Sequence, residues 1–172
     1  MLRSRSGRGG ALPLKDKPKF LADGMLGDLA RWLRMLGYDV KYEAEMSDEE
    51  LLAEAARSGR ILLTGDVELY RRASRKALKV FLAEVGDRNS ALRRLNQRFG
   101  VRLTLNPKLS RCPLCNTPLT PVGRREVSAM VPPAVLRRKR RFWVCRGCGK
   151  VYWRGSHWDK IKEVLRKVSS GG

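Results

Sequence analysis

The sequence predicts an α/β domain built on a parallel sheet, followed by a small cysteine-clamped ribbon. Three observations carry that expectation. From residue 19 to 108, short apolar runs alternate with amphipathic helical runs through short links, the pattern of a parallel sheet with helices on its faces. The four cysteines stand as two Cys-x-x-Cys pairs, Cys112/Cys115 and Cys145/Cys148. The charge is one-sided, with 37 Lys and Arg against 17 Asp and Glu, a net +20 in 172 residues.

The elements follow in order. Residues 1–18 are rich in Arg, Ser and Gly without periodicity and read as a basic disordered tail. Phe20-Leu21-Ala22 is a short strand ending at Asp23. Leu26, Leu29, Trp32, Leu33 and Leu36 recur at helical spacing until Gly37 stops them. Val40, Tyr42 and Ala44 alternate as a strand. Ser47 with Glu50 forms a capping box for a helix whose inner face is Leu51, Leu52, Ala55 and Ala56. Ile61 to Thr64 is a buried strand, and Asp66 caps a helix from Val67 to Ser74. Lys79 to Val85 reads as a strand, Ser90 to Phe99 as a helix, and Val101 to Leu105 as the last strand. Asn106-Pro107-Lys108 then marks a boundary between an α/β domain, 19–108, and a ribbon domain, 109–172.

In the ribbon, each Cys pair can present two sulfurs to one ion, and two pairs complete the all-thiolate shell of a structural zinc. The residue after each second cysteine, Asn116 or Gly149, tolerates positive φ. The 29 residues between the pairs exceed the usual ~15–20, so a loop is expected there, carrying Pro132-Pro133 and the basic run Arg137, Arg138, Lys139, Arg140 and Arg141. Two disulfides would instead require an oxidising compartment. No apolar leader opens the sequence, so a cytoplasmic location is expected. Trp158 to Val168 reads as a terminal helix.

The charge is concentrated after residue 109, where fifteen basic residues face three acidic ones. Such a field attracts polyanions, and nucleic acid is the partner expected. No basic amphipathic helix with a broad apolar face points to a membrane. Arg31 and Arg34 on the first helix, Arg124, Arg125 and the run from Arg137 to Arg141 are the candidate nucleic-acid contacts. The acids belong to the α/β domain. Asp23 and Asp66 end strands, and Asp48 and Glu49 open the helix after the second strand, all toward the edge where α/β sheets gather ligands. Caps explain each acid singly. Together they suit Mg²⁺ or Mn²⁺, which activate water and stabilise the leaving oxygen of a phosphodiester. Glu84 and Asp87 are weaker candidates, and the single histidine, His157, argues against a His-based triad.

Residues 20–27 (Phe-Leu-Ala-Asp-Gly-Met-Leu-Gly) and 31–39 (Arg-Trp-Leu-Arg-Met-Leu-Gly-Tyr-Asp) resemble the RNase-like domain named after the C-terminus of the Mutator-seven exonuclease, one of the PIN-like nucleases. Leu62 to Asp66 is similar to its third-strand motif, with Gly65 where an arginine is more usual. The stretch from Cys145 to Trp158 resembles the zinc ribbon fused to prokaryotic members. The resemblance implies a PIN-like parallel sheet and metal-dependent RNA cleavage, with Asp23, Asp48 or Glu49, and Asp66 as ligands. The expected protein is a ribonuclease, more readily an endonuclease, that grips RNA through the basic residues of the ribbon, with ribosomal or other structured RNA among the candidate partners. The alternative is a non-catalytic RNA- or ribosome-binding protein.

Overall fold

The structure, a computed structural model, describes residues 17–170; most of the basic tail expected over 1–18 lies outside the described residues. Four short strands, β1 (Phe20–Ala22), β2 (Val40–Tyr42), β3 (Ile61–Thr64) and β4 (Val80–Leu82), form a parallel sheet in the order β2-β1-β3-β4. Between and after them run α1 (Gly27–Met35), α2 (Asp48–Ser58), α3 (Val67–Arg75) and α4 (Arg88–Phe99).

The period-2 pattern of the strands sorts these helices into two layers. Phe20, Ala22, Ile61, Leu63 and Phe81 face α1 and α4, packing on Leu29, Leu33, Leu92 and Leu95. Leu21, Leu62 and Val80 face the other way, onto Leu51, Leu52 and Ala55 of α2 and Leu69 and Ala73 of α3. The strand residues of β1 and β3 are buried on both faces, which is why they read as continuous apolar runs. The capping box of α2 is formed: Ser47 N–H donates to Glu50 Oε2 at 2.8 Å and Glu50 N–H donates to Ser47 Oγ at 3.4 Å.

Two expectations are corrected. Residues 101–105 form no strand. Their polar groups turn to side chains instead: Asn96 Nδ2 donates to the Val101 carbonyl at 2.8 Å, and the Arg102 N–H donates to the Tyr38 hydroxyl at 2.7 Å. The span between the cysteine pairs is also more than a loop. It contains β5 (Leu119–Val122), a 3-10 turn at Arg124–Val127 and α5 (Pro133–Arg138), with proline in the first turn of α5, where its missing N–H costs nothing. β5, β6 (Phe142–Cys145) and β7 (Val151–Trp153) make an antiparallel sheet in that order, over a small core of Val127, Val131, Phe142 and Val144. The terminal helix α6 (Ser156–Ser170) buries Ile161, Leu165 and Val168 in the large core beside α4. Among the described residues no helix is long and apolar enough to cross a membrane.

Hydrogen bonds dock the first cysteine knuckle on the sheet. Asn116, at φ 67°, donates from Nδ2 to Asp39 Oδ1 at 2.8 Å and accepts the Val40 N–H on Oδ1 at 3.1 Å. Arg60 completes the site with an ion pair to Asp39 at 2.9 Å. Burial pushes the Asp39 carboxyl up, but the hydrogen bonds from Arg60 and Asn116 and the guanidinium's charge outweigh it and hold the pKa below the usual carboxylate range. A carboxyl depressed in the folded state adds stability above its unfolded value of about 3.9 and loses it as pH falls through the folded value. Asp39→Asn is expected to lower stability at neutral pH and to flatten the loss of stability below about pH 4, as followed by urea denaturation across pH.

Candidate active site and metal centre

The order β2-β1-β3-β4 carries the chain from β1 to one edge and back across to β3. The switch point therefore lies between β1 and β3, where open α/β sheets bind ligands beyond the strand carboxyl ends. Both strand ends carry an acid. The Asp23 N–H donates to the Leu63 carbonyl at 3.0 Å, which locks Asp23 beside β3. Thr64 is fully buried, and its Oγ1 donates to Asp23 Oδ2 at 2.7 Å while accepting the Asp66 N–H at 2.9 Å. One hydroxyl thus ties the Asp23 carboxylate to the Asp66 backbone N–H. Asp66 Oδ1 accepts the Leu69 N–H at 2.8 Å, so it is a helix cap, as its position suggested, with its second oxygen left over. Among the described residues neither Asp23 nor Asp66 has an ion-pair partner.

Asp48 and Glu49 are placed differently. They sit in the first turn of α2 and both pair with Arg72 of α3, Asp48 at 3.1 Å. These two acids therefore share a basic partner. Beside the switch point, a Cβ added at Gly65 would lie 2.5 Å from Val85 Cγ2 and 2.8 Å from Met25 Sδ. Met25 and Val85 take the space of a larger side chain there, and both are exposed.

Of the expected RNA contacts, Arg34 is a correction. It is 5% exposed, and its guanidinium is spent on carbonyls: Nε and Nη2 donate to Val40 O, and Nη1 donates to Pro113 O and Leu114 O at 3.0 and 2.9 Å. It clamps the first knuckle to α1 and β2. Arg31 is exposed on α1. Arg125, Arg137, Arg138, Arg140 and Arg141 are exposed as well, and Lys139 is half-buried. Arg124 is exposed but donates to the Lys139 carbonyl at 3.1 and 3.3 Å, tying the 3-10 turn to the end of α5.

The four cysteines gather. Their sulfurs all lie within 4.8 Å of one another, with Cys112 to Cys148 at 3.6 Å and Cys115 to Cys145 at 3.2 Å. Tetrahedral zinc, with sulfurs at about 2.3 Å, sets them roughly 3.8 Å apart, so the site fits a metal such as zinc. Asn116 and Gly149 adopt φ of 67° and 75° after the second cysteine of each pair. The Thr117 hydroxyl and amide lower the Cys115 thiol to about 6. At Cys148 the Lys150 amide lowers the pKa, but burial and the three neighbouring sulfurs overcome it and push it up to about 12. Four crowded sulfurs cannot all ionise without a cation between them, so metal uptake releases protons. The Tyr152 hydroxyl, 3.1 Å from Cys112 Sγ, backs the site. Residue order gave no role to Thr64, Arg72 or Tyr152, and for Asn116 only its positive φ and not its bonds to Asp39 and Val40. Thr64 left a signal, as the polar residue closing an apolar strand just before Asp66.

An α/β fold with acids at its switch point and a four-sulfur ribbon defines the class. Residues 18–165 match the Mut7-C RNAse domain, and the chain belongs to that family. It is also similar to the human protein described as exonuclease mut-7 homolog, at 25% identity over 225 aligned positions. That alignment covers 87% of this chain and 26% of the relative, so the chain spans about a quarter of the relative's length. No solved structure matches. The family's description is that of an RNase domain.

Proposed function

We propose that the protein is a divalent-metal-dependent ribonuclease whose centre is the Asp23-Thr64-Asp66 edge of the sheet. The observation that carries this reading is that Asp23 and Asp66, both without an ion pair among the described residues, stand at the ends of the adjacent strands β1 and β3, with the buried Thr64 hydroxyl joining the Asp23 carboxylate to the Asp66 N–H. Asp23 and Asp66 are the residues that would hold Mg²⁺ or Mn²⁺, hard cations that favour carboxylate oxygens. When bound, such an ion supplies an activated water and charge stabilisation at the scissile phosphate. Thr64 fixes the rotamer of Asp23 by donating to one oxygen and leaves the other free. Asp48 and Glu49 are tied to Arg72 in the free protein.

The ribbon supplies the grip. Arg137, Arg138, Arg140 and Arg141 are exposed at and after the end of α5, and they neutralise backbone phosphates without reading bases. A structural zinc at the four cysteines holds that platform.

The test is single-turnover cleavage of end-labelled RNAs by zinc-loaded protein, with Mn²⁺ added or omitted. Cleavage that requires Mn²⁺ is expected, and the position of the first products separates endonucleolytic from exonucleolytic action. Tight RNA binding with no cleavage under any divalent ion would favour the second reading, an RNA-binding protein, for which the neutralisation of Asp48 and Glu49 by Arg72 speaks.

A further inference from the structure

Large apolar side chains stand exposed at six positions among the described residues, and three of them flank the proposed centre. Met25, 50% exposed, sits in the 3-10 turn that follows Asp23. Val67 directly follows Asp66, and Val85, 60% exposed, lies three residues beyond β4. Met25 and Val85 converge on Gly65. The point where a Cβ would stand on that residue is 2.8 Å from Met25 Sδ and 2.5 Å from Val85 Cγ2. Glycine at this position is what lets the two side chains close over the end of β3.

The chain sets where this patch lies. Gly65 stands between Thr64, whose hydroxyl holds the Asp23 carboxylate, and Asp66. Met25 is two residues past Asp23, at the end of the neighbouring strand. The apolar atoms therefore stand beside residues next to both acids, on the rim where β1, β3 and β4 end. A single exposed apolar side chain is ordinary. Two that meet at this rim leave apolar surface uncovered where a substrate of the centre must lie. The area is far too small for a stable protein partner, which needs roughly 800 Å² on each side. It suits one flat ring system, and the polarisable thioether of methionine makes favourable contacts with aromatic rings.

We infer that Met25 and Val85 seat the face of the nucleobase next to the phosphate held at the Asp23–Asp66 centre. The inference rests on the reading of that centre as the site of RNA cleavage. A phosphate held there carries its flanking bases to within one nucleotide of Met25 and Val85. Every base has a π face, and these two side chains bring no hydrogen-bond donor to read base edges. The seat therefore requires a base without choosing among the four. It fixes the flanking nucleotide while the exposed arginines of the ribbon hold the backbone elsewhere.

The test is single-turnover cleavage of one end-labelled RNA of mixed sequence by zinc-loaded protein in Mn²⁺, followed against protein concentration. Met25→Ala should raise the half-saturating concentration about fivefold, the size of one methionine–ring contact, and leave the maximum rate unchanged. Val85→Ala should act in the same direction, and Met25→Leu should keep most of the parent's saturation. Both positions are half exposed or more, so thermal melting should be unchanged. Removing the base from each nucleotide in turn should reproduce the rise in the parent at a position flanking the cut. The same abasic RNA should cost nothing further in the Met25→Ala, Val85→Ala double variant. An abasic penalty equal in parent and double variant, unchanged saturation in both single variants, or a fall confined to the maximum rate overturns the seat and leaves the cleavage centre standing. A parent that cleaves no RNA in Mn²⁺ removes the centre, and the seat falls with it.

Discussion

Cys145→Ser is expected to leave the protein without zinc and to unfold the ribbon. Structural zinc contributes on the order of 10–16 kcal/mol in small four-ligand peptides. The apolar core over the ribbon sheet has four buried residues among those described, Val127, Val131, Phe142 and Val144, with partly buried neighbours such as Val122 and Trp153, too small a core to hold three short strands alone. Elemental analysis should find about one zinc per chain in the parent, as one four-sulfur site requires, and none in the variant. Hydrogen exchange should accelerate across β5, β6 and β7, while β1 to β4 stay protected. α6 should also stay protected, because Ile161, Leu165 and Val168 are seated in the large core. Loss of the knuckle also strands the Arg34 guanidinium, whose partners include the Pro113 and Leu114 carbonyls, so a modest fall in stability of the sheet domain should accompany the unfolding. A parent without zinc, or a variant with unchanged exchange in the ribbon, would contradict the assignment.

The second large effect is expected at the sheet edge. Asp23→Asn and Asp66→Asn should each slow RNA cleavage by at least about a thousandfold, or roughly 4 kcal/mol of transition-state stabilisation, as the loss of a metal ligand implies. RNA affinity should hold or rise slightly, because the removed charge repels phosphate. Asp66→Asn keeps an oxygen to accept from the Leu69 N–H, so the cap of α3 survives and the loss reads as chemistry rather than unfolding. Glu49→Gln should cost far less, since Glu49 is satisfied by Arg72 in the free protein. An equal loss at all three positions would place Glu49 inside the centre with Asp23 and Asp66.

Much of this was legible from residue order, for reasons that are local. The strands β1 and β3 were recognisable because burial on both faces leaves an unbroken apolar run, and α2 because its capping box is a three-residue signal. The four-sulfur site followed from spacing, and the φ values at Asn116 and Gly149 agree with it. What stayed hidden depends on contacts distant in sequence. Nothing near Arg34 tells that carbonyls some 80 residues later will consume its guanidinium. Asp48 and Arg72 are 24 positions apart and meet only when α2 and α3 share a face. Residues 101–105 have the apolar content of a strand but add none to the sheet; the Val101 carbonyl and the Arg102 N–H are taken by the side chains of Asn96 and Tyr38.

The central claim, that Asp23 and Asp66 hold a divalent ion that cuts RNA, is tested most directly by titrating Mn²⁺ into zinc-loaded protein. Bound Mn²⁺ is followed by electron paramagnetic resonance and RNA cleavage by product formation in the same samples. The account predicts that occupancy and cleavage rise together over the same Mn²⁺ range in the parent, and that both vanish in the Asp23→Asn, Asp66→Asn double variant. Cleavage that persists in the double variant, or Mn²⁺ occupancy unaffected by it, would contradict the account.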